Sequence, residues 1–370
     1  MPPARRASVS RRLLPIAVFT CAALAGGSAS AQQMKEFRDW LAACDNTRSC
    51  TAYGFDADPG GYAYVRLTRD GGGEAPLRVT VAVNVQEGSK FKVSFDDPAL
   101  GGLPAEATAG ESNPDDDLKR LVISDPKAME TLLASLRKAK KLIVTRVDAP
   151  GATASDPAVT EISLNGVVAA MLWMDDQQKR LDTVTALVKR GSKPATAVPS
   201  PPAPPVVTAV KVPPEPKGSK PDQAPAAVIA KARAVCEDKT IDESEDATRL
   251  AADQVMYWFP CRDKSGAYNF LYALIIDQRG KPLREVEFKL PREVAATADG
   301  GVEMNMNPGF DESTQTMSLF NKGRGIADCG QSSDWAWDGH GFRLIQSKQM
   351  PTCKGVAPND WAVLYRAERK

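Results

Sequence analysis

The chain has 370 residues, of which 47 are Lys or Arg, 46 are Asp or Glu and one is histidine, so its formal net charge at pH 7 is +1. Balanced charge gives no electrostatic support for binding nucleic acid or an anionic membrane surface. The length is sufficient for two domains of ordinary size.

The first 31 residues have the pattern of a secretory signal peptide. An arginine-rich start precedes an apolar run over residues 13–24, and small residues lead to a predicted cleavage site after Ala31. The stretch SRRLL at 10–14 partly resembles a twin-arginine signal, so the general secretory and twin-arginine routes both stay open. No later run reaches about 18 apolar residues. We therefore expect an exported, periplasmic protein without a transmembrane span.

Residues 32–190 are predicted to form a β-rich N-terminal domain with two helices. Segments rich in β-branched and aromatic residues predict an antiparallel meander over 51–55, 62–69, 76–83 and 91–95. Asp125 and Pro126 fit the cap and first position of a helix, and its apolar face contains Met129, Leu132, Leu133 and Leu136. Further strands are predicted at 141–147 and 160–166, with a second helix after Gly166.

A proline-rich segment follows this domain. Residues 191–225 read GSKPATAVPSPPAPPVVTAVKVPPEPKGSKPDQAP, with few large apolar side chains. That composition is typical of a semi-rigid spacer. At about 3.1 Å per residue, such a spacer could hold two domains as much as roughly 100 Å apart. The sequence thus predicts a linker between two domains.

Residues 226–370 form the predicted C-terminal domain and consist mostly of strand-like segments. These are 255–261, 268–276, 283–290, 316–321, 335–337, 342–346 and 361–367. Their spacing favours a β-sandwich or an incomplete barrel. The predicted fold class is therefore mainly β with some helix (α+β): two antiparallel β-rich domains joined by the proline-rich linker.

Six cysteines remain after removal of the signal, since Cys21 lies within it: Cys44, Cys50, Cys236, Cys261, Cys329 and Cys353. An even number in an exported chain indicates disulfides. Pairing within the two predicted domains leaves three connectivities. The nearest-neighbour choice is Cys44–Cys50, Cys236–Cys261 and Cys329–Cys353. The spacings do not match those of a zinc site.

The stretch ADCGQSSDWAWDGHGFRL (327–344) is the strongest candidate for either a hairpin or a site. Trp335 and Trp337 would lie on one face of a strand, and Asp338-Gly339 is a turn signal before Phe342. We favour a hairpin whose tryptophans cover a disulfide-stapled core. The alternative is a carbohydrate or peptidoglycan site in which Trp335 and Trp337 stack on a sugar ring and Asp338 accepts its hydroxyl hydrogens.

Support for catalysis is weak. The single histidine, His340, lies in the predicted hairpin turn, and no GxSxG, HExxH or phosphate-binding glycine motif occurs. Paired carboxylates leave a glycan hydrolase open as a less favoured alternative. The candidate pairs are Asp96-Asp97, Asp115-Asp116-Asp117, Asp175-Asp176, and Asp328 with Asp338. We predict no catalytic residue, no metal site and no cofactor.

Four segments together resemble one known family. They are FRDWLAACDNTRSCTAYG from 37, SLNGVVAAMLWMDDQQKR from 163, PCRDKSGAYNF from 260 and GRGIADCGQSSDWAWDGHGF from 323. The pattern is similar to the family called domain of unknown function 1176 over essentially the whole mature chain. Its Trp-x-x-x-Cys and Ser-Leu-x-Gly elements also resemble, more weakly, the invasion-associated locus B family. These resemblances imply an exported bacterial envelope protein and imply no activity.

The expected function is therefore non-enzymatic binding in the periplasm or at the envelope. Two modules on a long spacer would suit simultaneous engagement of two partners. The partner is expected to be an envelope protein or a cell-wall glycan.

Overall fold

The computed structural model describes residues 34–57, 63–84, 90–104, 107–108, 118–147, 158–211, 223–237, 241, 246–291, 294, 302–303, 305–311 and 313–370. The predicted signal peptide, Asp115–117 and part of the proline-rich segment lie outside these residues. Strands predominate in the described part, and its sheets are antiparallel apart from one two-stranded pair. The predicted mainly β class is confirmed, and none of these sheets closes into a barrel.

The N-terminal half contains two sheets and two helices. The larger sheet has the spatial order β1 (Met34–Phe37), β2 (Trp40–Cys44), β3 (Cys50–Phe55), β4 (Ala63–Arg69), β5 (Leu77–Asn84) and β8 (Leu118–Ile123). The second has the order β10 (Val159–Ser163), β9 (Lys141–Arg146), β6 (Lys90–Phe95) and β7 (Ala107–Thr108). The helices are α1 (Pro126–Leu136) and α2 (Val167–Gln177). The predicted strands and both predicted helices of this half are confirmed.

Local sequence explains where α1 and β6 form. The Asp125 carboxylate accepts a hydrogen bond from the Ala128 amide at 2.8 Å, and Pro126 occupies the first turn of α1. The predicted apolar face of α1 is buried. In β6 the buried and exposed residues alternate strictly, as expected for a strand with one covered face.

The larger sheet is covered on both faces, which explains its nearly continuous apolar sequence. In β2, Trp40 and Ala42 point into a core shared with α1, α2 and the second sheet. Leu41 and Ala43 point to the other face, where they pack against the C-terminal half.

The C-terminal half is a two-layer sandwich. One sheet has the order β12 (Asp246–Ala251), β13 (Gln254–Pro260), β14 (Tyr272–Gln278) and β15 (Arg284–Glu285). The other has the order β18 (Gly309–Asp311), β19 (Thr316–Lys322), β20 (Gly330–Trp337), β21 (Phe342–Met350) and β22 (Ala362–Arg366). Side chains from both sheets share one core. β16 (Phe288–Lys289) and β17 (Val302–Glu303) form a small extra pair.

A third helix, α3 (Ala226–Cys236), begins the C-terminal half, in a stretch for which the sequence predicted no element. Its sequence AAVIAKARAVC is rich in alanine, the strongest helix former. Val228, Ala232 and Cys236 pack against the face of β13 and β14 that points away from the sandwich core. None of the described helices is long and apolar enough to cross a membrane.

The described part of the proline-rich segment, residues 191–211, lies against the fold. Val206 and Val207 form β11 (Val206–Val207), which pairs in parallel with β23 (Glu368–Arg369). Val210 donates its amide hydrogen to the Trp337 carbonyl at 2.8 Å. Pro201 packs closely against Gly71 of the N-terminal half, since a Cβ atom added at position 71 would lie 2.8 Å from the Pro201 side chain. Backbone hydrogen bonds and close packing thus hold this part in place, whereas its composition indicated a free spacer.

The two halves share a third apolar core between the larger sheet and the C-terminal strands. Tyr53, Tyr64 and Leu118 contribute from one side, and Met350 and Trp361 from the other. By its contacts, Gln32–Lys370 forms one compact unit.

Candidate functional site

The tryptophan hairpin has the predicted geometry. β20 and β21 pair with Trp337 opposite Phe342, and the Asp338 carboxylate accepts hydrogen bonds from the amides of His340 and Gly341. Trp335 and Trp337 are 0% and 1% exposed. The Trp335 indole donates to Ser333 Oγ at 2.8 Å, and its ring lies 5.1 Å from that of Phe288. The core interpretation is confirmed.

The burial of both indoles argues against the alternative of a carbohydrate site at Trp335, Trp337 and Asp338. Covered indoles cannot stack on a sugar ring that approaches from solvent. The second Asp338 oxygen accepts from Arg343 Nε at 2.6 Å. Burial alone would raise the pKa of Asp338, but Arg343 and the two turn amides lower it below its usual range. Asp338 is thus a turn residue.

The predicted carboxylate pairs do not form a glycosidase site in the described residues. Asp328 and Asp338 flank opposite ends of β20, so they lie roughly 25–30 Å apart at about 3.3 Å per residue, whereas glycosidase carboxylates lie about 5–10 Å apart. Asp175 is buried and accepts the amides of Leu187 and Val188. Asp96 similarly accepts the amides of Lys140 and Lys141.

All three nearest-neighbour disulfides are present: Cys44–Cys50, Cys236–Cys261 and Cys329–Cys353. Asp328 lies beside the last pair, and these three side chains form a group with metal-ligand proximity. Zinc binding by cysteine needs thiolates. Because the two sulfur atoms are bonded to each other, this group does not form a metal site.

Two motif segments meet at the edge of the N-terminal half. The FRDW turn (37–40) follows β1, and the SLNG turn (163–166) connects β10 to α2. The Ser163 hydroxyl donates to Asp39 Oδ2 at 2.6 Å, and the Trp40 indole donates to the Ser163 carbonyl at 2.9 Å. Arg38 Nη1 donates to Asn165 Oδ1 at 3.1 Å. These contacts fix the two turns against each other.

Gly166 is required at this junction. Its φ of +113° lies in the left-handed region, and a Cβ atom there would meet the Phe37 carbonyl oxygen at 1.9 Å. Only glycine combines this backbone conformation with such a close approach. The Ser-Leu-x-Gly element therefore has a defined structural reason for its glycine.

The joined turns line two adjacent cavities, which we call the groove. The first cavity has a volume of about 460 Å³ and the second about 510 Å³, and Ala57 and Ser163 line both. The first is lined by Glu36, Arg38, Asp39, Trp40, Leu41, Phe55, Asp56, Ala57, Ser163, Thr352 and Lys354. The second is lined by Ala57, Ala139, Lys140, Lys141, Glu161, Ser163, Leu164, Asn165, Gly166 and Val168. Both volumes are in the range of small-molecule sites.

Both halves of the chain build the first cavity. Trp40, Leu41 and Phe55 line it, but Trp40 and Leu41 are each 1% exposed and belong to the cores on opposite faces of β2, and Phe55 is 9% exposed. Lys354 reaches across from the C-terminal half and donates to the Asp56 carbonyl at 3.2 Å. A concave surface with a few converging polar groups is common in ligand sites. The sequence analysis singled out none of these groove residues as a site, although the two turns belong to its quoted motifs.

The other two motif segments also meet, in the C-terminal half. The Asn269 amide donates to Asn321 Oδ1 at 3.0 Å and to the Lys322 carbonyl at 2.8 Å. These bonds hold the 262–270 loop to the end of β19, and the Tyr268 hydroxyl donates to the Gly323 carbonyl at 3.4 Å in the 323–329 loop, where Ile326 is 72% exposed. Asp328 accepts two hydrogen bonds from Arg324, both at 2.6 Å, and one from the Gly355 amide. This ion pair holds the exposed loop in one conformation.

Asp328 gives a pH-dependence that can be measured. Burial alone would raise its pKa, but the hydrogen bonds from Arg324 and Gly355 lower it below its usual range. A carboxyl whose pKa is lower when folded stabilises the fold above its unfolded pKa of about 3.9, and that stabilisation is lost as the pH falls. Asp328→Asn should therefore cost about 1–2 kcal/mol at pH 7 and flatten the acid side of the stability profile.

Urea unfolding from pH 7 to pH 3 measures this effect. Asp263→Asn, which removes an exposed carboxylate from the neighbouring loop, is the control. An unchanged acid slope in Asp328→Asn would show that the ion pair does not stabilise the folded state.

A buried polar cluster joins the halves at Asp360, in the short helical turn Pro358–Asp360. Its carboxylate accepts from the Tyr64 hydroxyl and pairs with Arg66 at 2.5 Å and Arg120 at 2.9 Å. The Tyr53 hydroxyl donates to the Asp360 carbonyl at 2.7 Å. Burial raises the pKa of both tyrosines well above the usual range, so both hydroxyls are neutral donors. We call this cluster the Asp360 clamp.

The fold and groove together define a disulfide-containing β protein with a surface groove beside the contact between its halves. Residues 34–368 match the family described as "Protein of unknown function (DUF1176)". The chain is 30% identical over 348 residues to the "Uncharacterized protein YpfG" of Escherichia coli (strain K12), covering 91% of this chain and 93% of that protein. The chain therefore belongs to this family.

One solved structure was also similar, the crystal structure of invasion associated protein B from Bartonella henselae. It covers 40% of this chain and 98% of its own chain, at 17% identity and a TM-score of 0.28.

Proposed function

We propose that this protein is a non-enzymatic binding protein of the bacterial periplasm or envelope, and that the groove is its ligand site. The groove itself carries the proposal: two adjoining cavities with polar and charged rims and walls from two motif turns. Sites of this kind are concave and bury most of a small ligand. The signal-peptide pattern of the first 31 residues supports export, and the ligand would then be an envelope component, either part of a protein or of the cell wall.

Binding fits the groove chemistry better than catalysis does. The Ser163 hydroxyl donates its hydrogen to a carboxylate, which fixes the turn. A serine nucleophile needs a base poised to accept that proton during attack, most often a histidine. The single histidine of the chain lies in the β20–β21 turn, in the other half.

Filling the groove should abolish ligand retention. The protein is expressed with its own leader and recovered from the periplasmic fraction, where Gln32 is expected as its first residue. It is then incubated with the low-mass fraction of an envelope extract, separated by gel filtration and analysed for bound compounds by mass spectrometry. Ala57→Trp places a large side chain on the wall common to both cavities.

The control is Ala267→Trp, an equally exposed alanine on a loop of the C-terminal half. We expect the wild type and the control to retain the same compounds and Ala57→Trp to lose them. Equal retention by all three proteins, or none by the wild type, would contradict the assignment of the groove. Recovery of the protein only from the cytoplasm would contradict export.

A further inference from the structure

The two cavities of the groove differ in the sign of their charge. The first has three carboxylates, from Glu36, Asp39 and Asp56, and two cations, from Arg38 and Lys354. The second has two lysines, Lys140 and Lys141, and one carboxylate, Glu161. The groove therefore runs from a negative end beside the C-terminal half to a positive end beside α2.

The charges of the groove are only partly matched, since Arg38 and Asp39 bond to neutral groups, the Asn165 amide oxygen and the Ser163 hydroxyl. Lys141 pairs with Glu161 at 2.5 Å. Glu36 and Lys140 are exposed, and their side chains make no hydrogen bond or ion pair with any described residue. Lys140 is attracted through space by Asp96, whose carboxylate is held by backbone amides. A ligand can thus meet an uncompensated carboxylate at one end and an ammonium group at the other.

The start of α2 adds positive potential at the second cavity. Gly166 is the N-cap and offers no side-chain hydrogen bond, so beyond the Val167 amide, which donates to the Leu164 carbonyl at 3.2 Å, no cap satisfies the first amides, and the first turn contains no acidic residue. Gly166 and Val168 both line the cavity. Free amides and the helix dipole at such an end favour a negative group. This is a second source of attraction for an anion, independent of Lys140.

The space between the charged ends suits apolar groups. Ala57, which lines both cavities, and Val168, which lines the second, are exposed apolar side chains. A neutral glycan would leave both free charges unmatched, and a polyanionic glycan would meet repulsion at Glu36. A chain with opposite charges at its ends and small apolar side chains between them matches all three features.

We infer that the groove binds a short peptide in an extended conformation, with its ammonium group near Glu36 and Asp39 in the first cavity. Its terminal carboxylate lies near Lys140 and the start of α2 in the second. This inference rests on the proposed function, because it names the ligand class of the same groove. It assigns a direction to the bound peptide as well as its chemistry.

Tetra-alanine is a minimal probe of this inference. Calorimetric titration of mature protein, residues 32–370, should detect binding. Acetylation of the amino end or amidation of the carboxyl end should each weaken binding about tenfold or more, because each removes a charge-assisted contact. Binding that is unaffected by either modification would overturn the inference.

Variants at the two ends test the direction. Glu36→Gln should weaken free tetra-alanine about tenfold but leave the N-acetylated peptide unchanged, because that peptide has already lost its ammonium group. Lys140→Gln should weaken binding of free tetra-alanine by a similar factor. It should leave binding of the amidated peptide unchanged, because that peptide has already lost its terminal carboxylate. Lys127→Gln, an exposed lysine on α1, is the control and should bind like the wild type. If Glu36→Gln instead left the amidated peptide unaffected, and Lys140→Gln the acetylated peptide, the proposed direction of the peptide would be wrong.

A glycan probe separates failure of this inference from failure of the proposed function. If tetra-alanine does not bind but chitotetraose binds the wild type and not Ala57→Trp, the groove remains the ligand site and the peptide class is wrong. If neither probe binds and no compound from the extract is retained, both proposals fail.

Discussion

Replacing Asp360 with asparagine should lower the free energy of unfolding by about 3 kcal/mol. The Asp360 carboxylate faces two guanidinium groups, from Arg66 and Arg120, and an asparagine would leave both without a counter-charge. Loss of one partner from a buried ion pair costs about 3–5 kcal/mol, because the remaining charge is desolvated without compensation. We expect the lower end of that range, since the Arg66 side chain is 20% exposed and water screens it. Urea denaturation measures the change.

The matched control is an exposed ion pair in the N-terminal half, which also contains Arg66 and Arg120. Glu130 and Arg190 lie 3.2 Å apart, with side chains 69% and 48% exposed. Glu130→Gln should cost less than about 1 kcal/mol, because exposed pairs contribute little. If both variants lost the same small amount of stability, the Asp360 clamp would be an ordinary surface contact.

The clamp also determines how the two halves unfold. Asp360 comes from the C-terminal half, whereas Tyr64, Arg66 and Arg120 lie on the face of the larger sheet. With the clamp intact, we expect the halves to unfold together. In Asp360→Asn the fluorescence and far-ultraviolet transitions should separate along the urea axis, because two-state behaviour requires the halves to be coupled.

The sequence predicted local features of the fold well. The alternation in β6 and the Asp125 cap of α1 depend on neighbouring residues, so their signals can be read directly. The disulfides followed from proximity along the chain, because each connects nearest-neighbour cysteines of the mature chain. Helix α3 was missed even though its alanine-rich sequence favours a helix, since it directly follows the proline-rich segment and lies in a domain otherwise predicted to consist of strands.

Long-range contacts explain what the sequence analysis could not predict. Tyr64 and Asp360 are 296 positions apart, and no local pattern indicates that they meet. The groove likewise needs Lys354 to lie beside Asp56, 298 positions away. The proline-rich composition of residues 191–211 indicates how this segment behaves on its own. Its contact with the fold depends on backbone groups of β23 and Trp337, which are distant in the sequence. A groove assembled between two halves is therefore visible only in the folded chain.

The second large effect is expected at Trp335, where a residue first considered as a ligand contact proves to be core. Trp335→Ala should lower the free energy of unfolding by about 3–5 kcal/mol, the usual cost of removing a buried tryptophan. The indole is fully covered, packs edge-on against Phe288, and donates to Ser333. Its removal creates a cavity between the two sheets and leaves the Ser333 hydroxyl without this donor.

Two further variants separate packing from surface chemistry at this site. Trp335→Phe retains part of the ring contact with Phe288 and should lose less stability than Trp335→Ala, because the cost of a truncation rises with the volume of the cavity that it leaves. Phe270→Ala removes an aromatic ring that is 47% exposed and should cost less than about 1 kcal/mol. Chemical denaturation measures the free energy of unfolding of the three variants. The loss relative to the wild type should be largest for Trp335→Ala. A Trp335→Ala protein as stable as Phe270→Ala would show that the indole is not held in the sandwich core, because a core tryptophan cannot be removed without that cost.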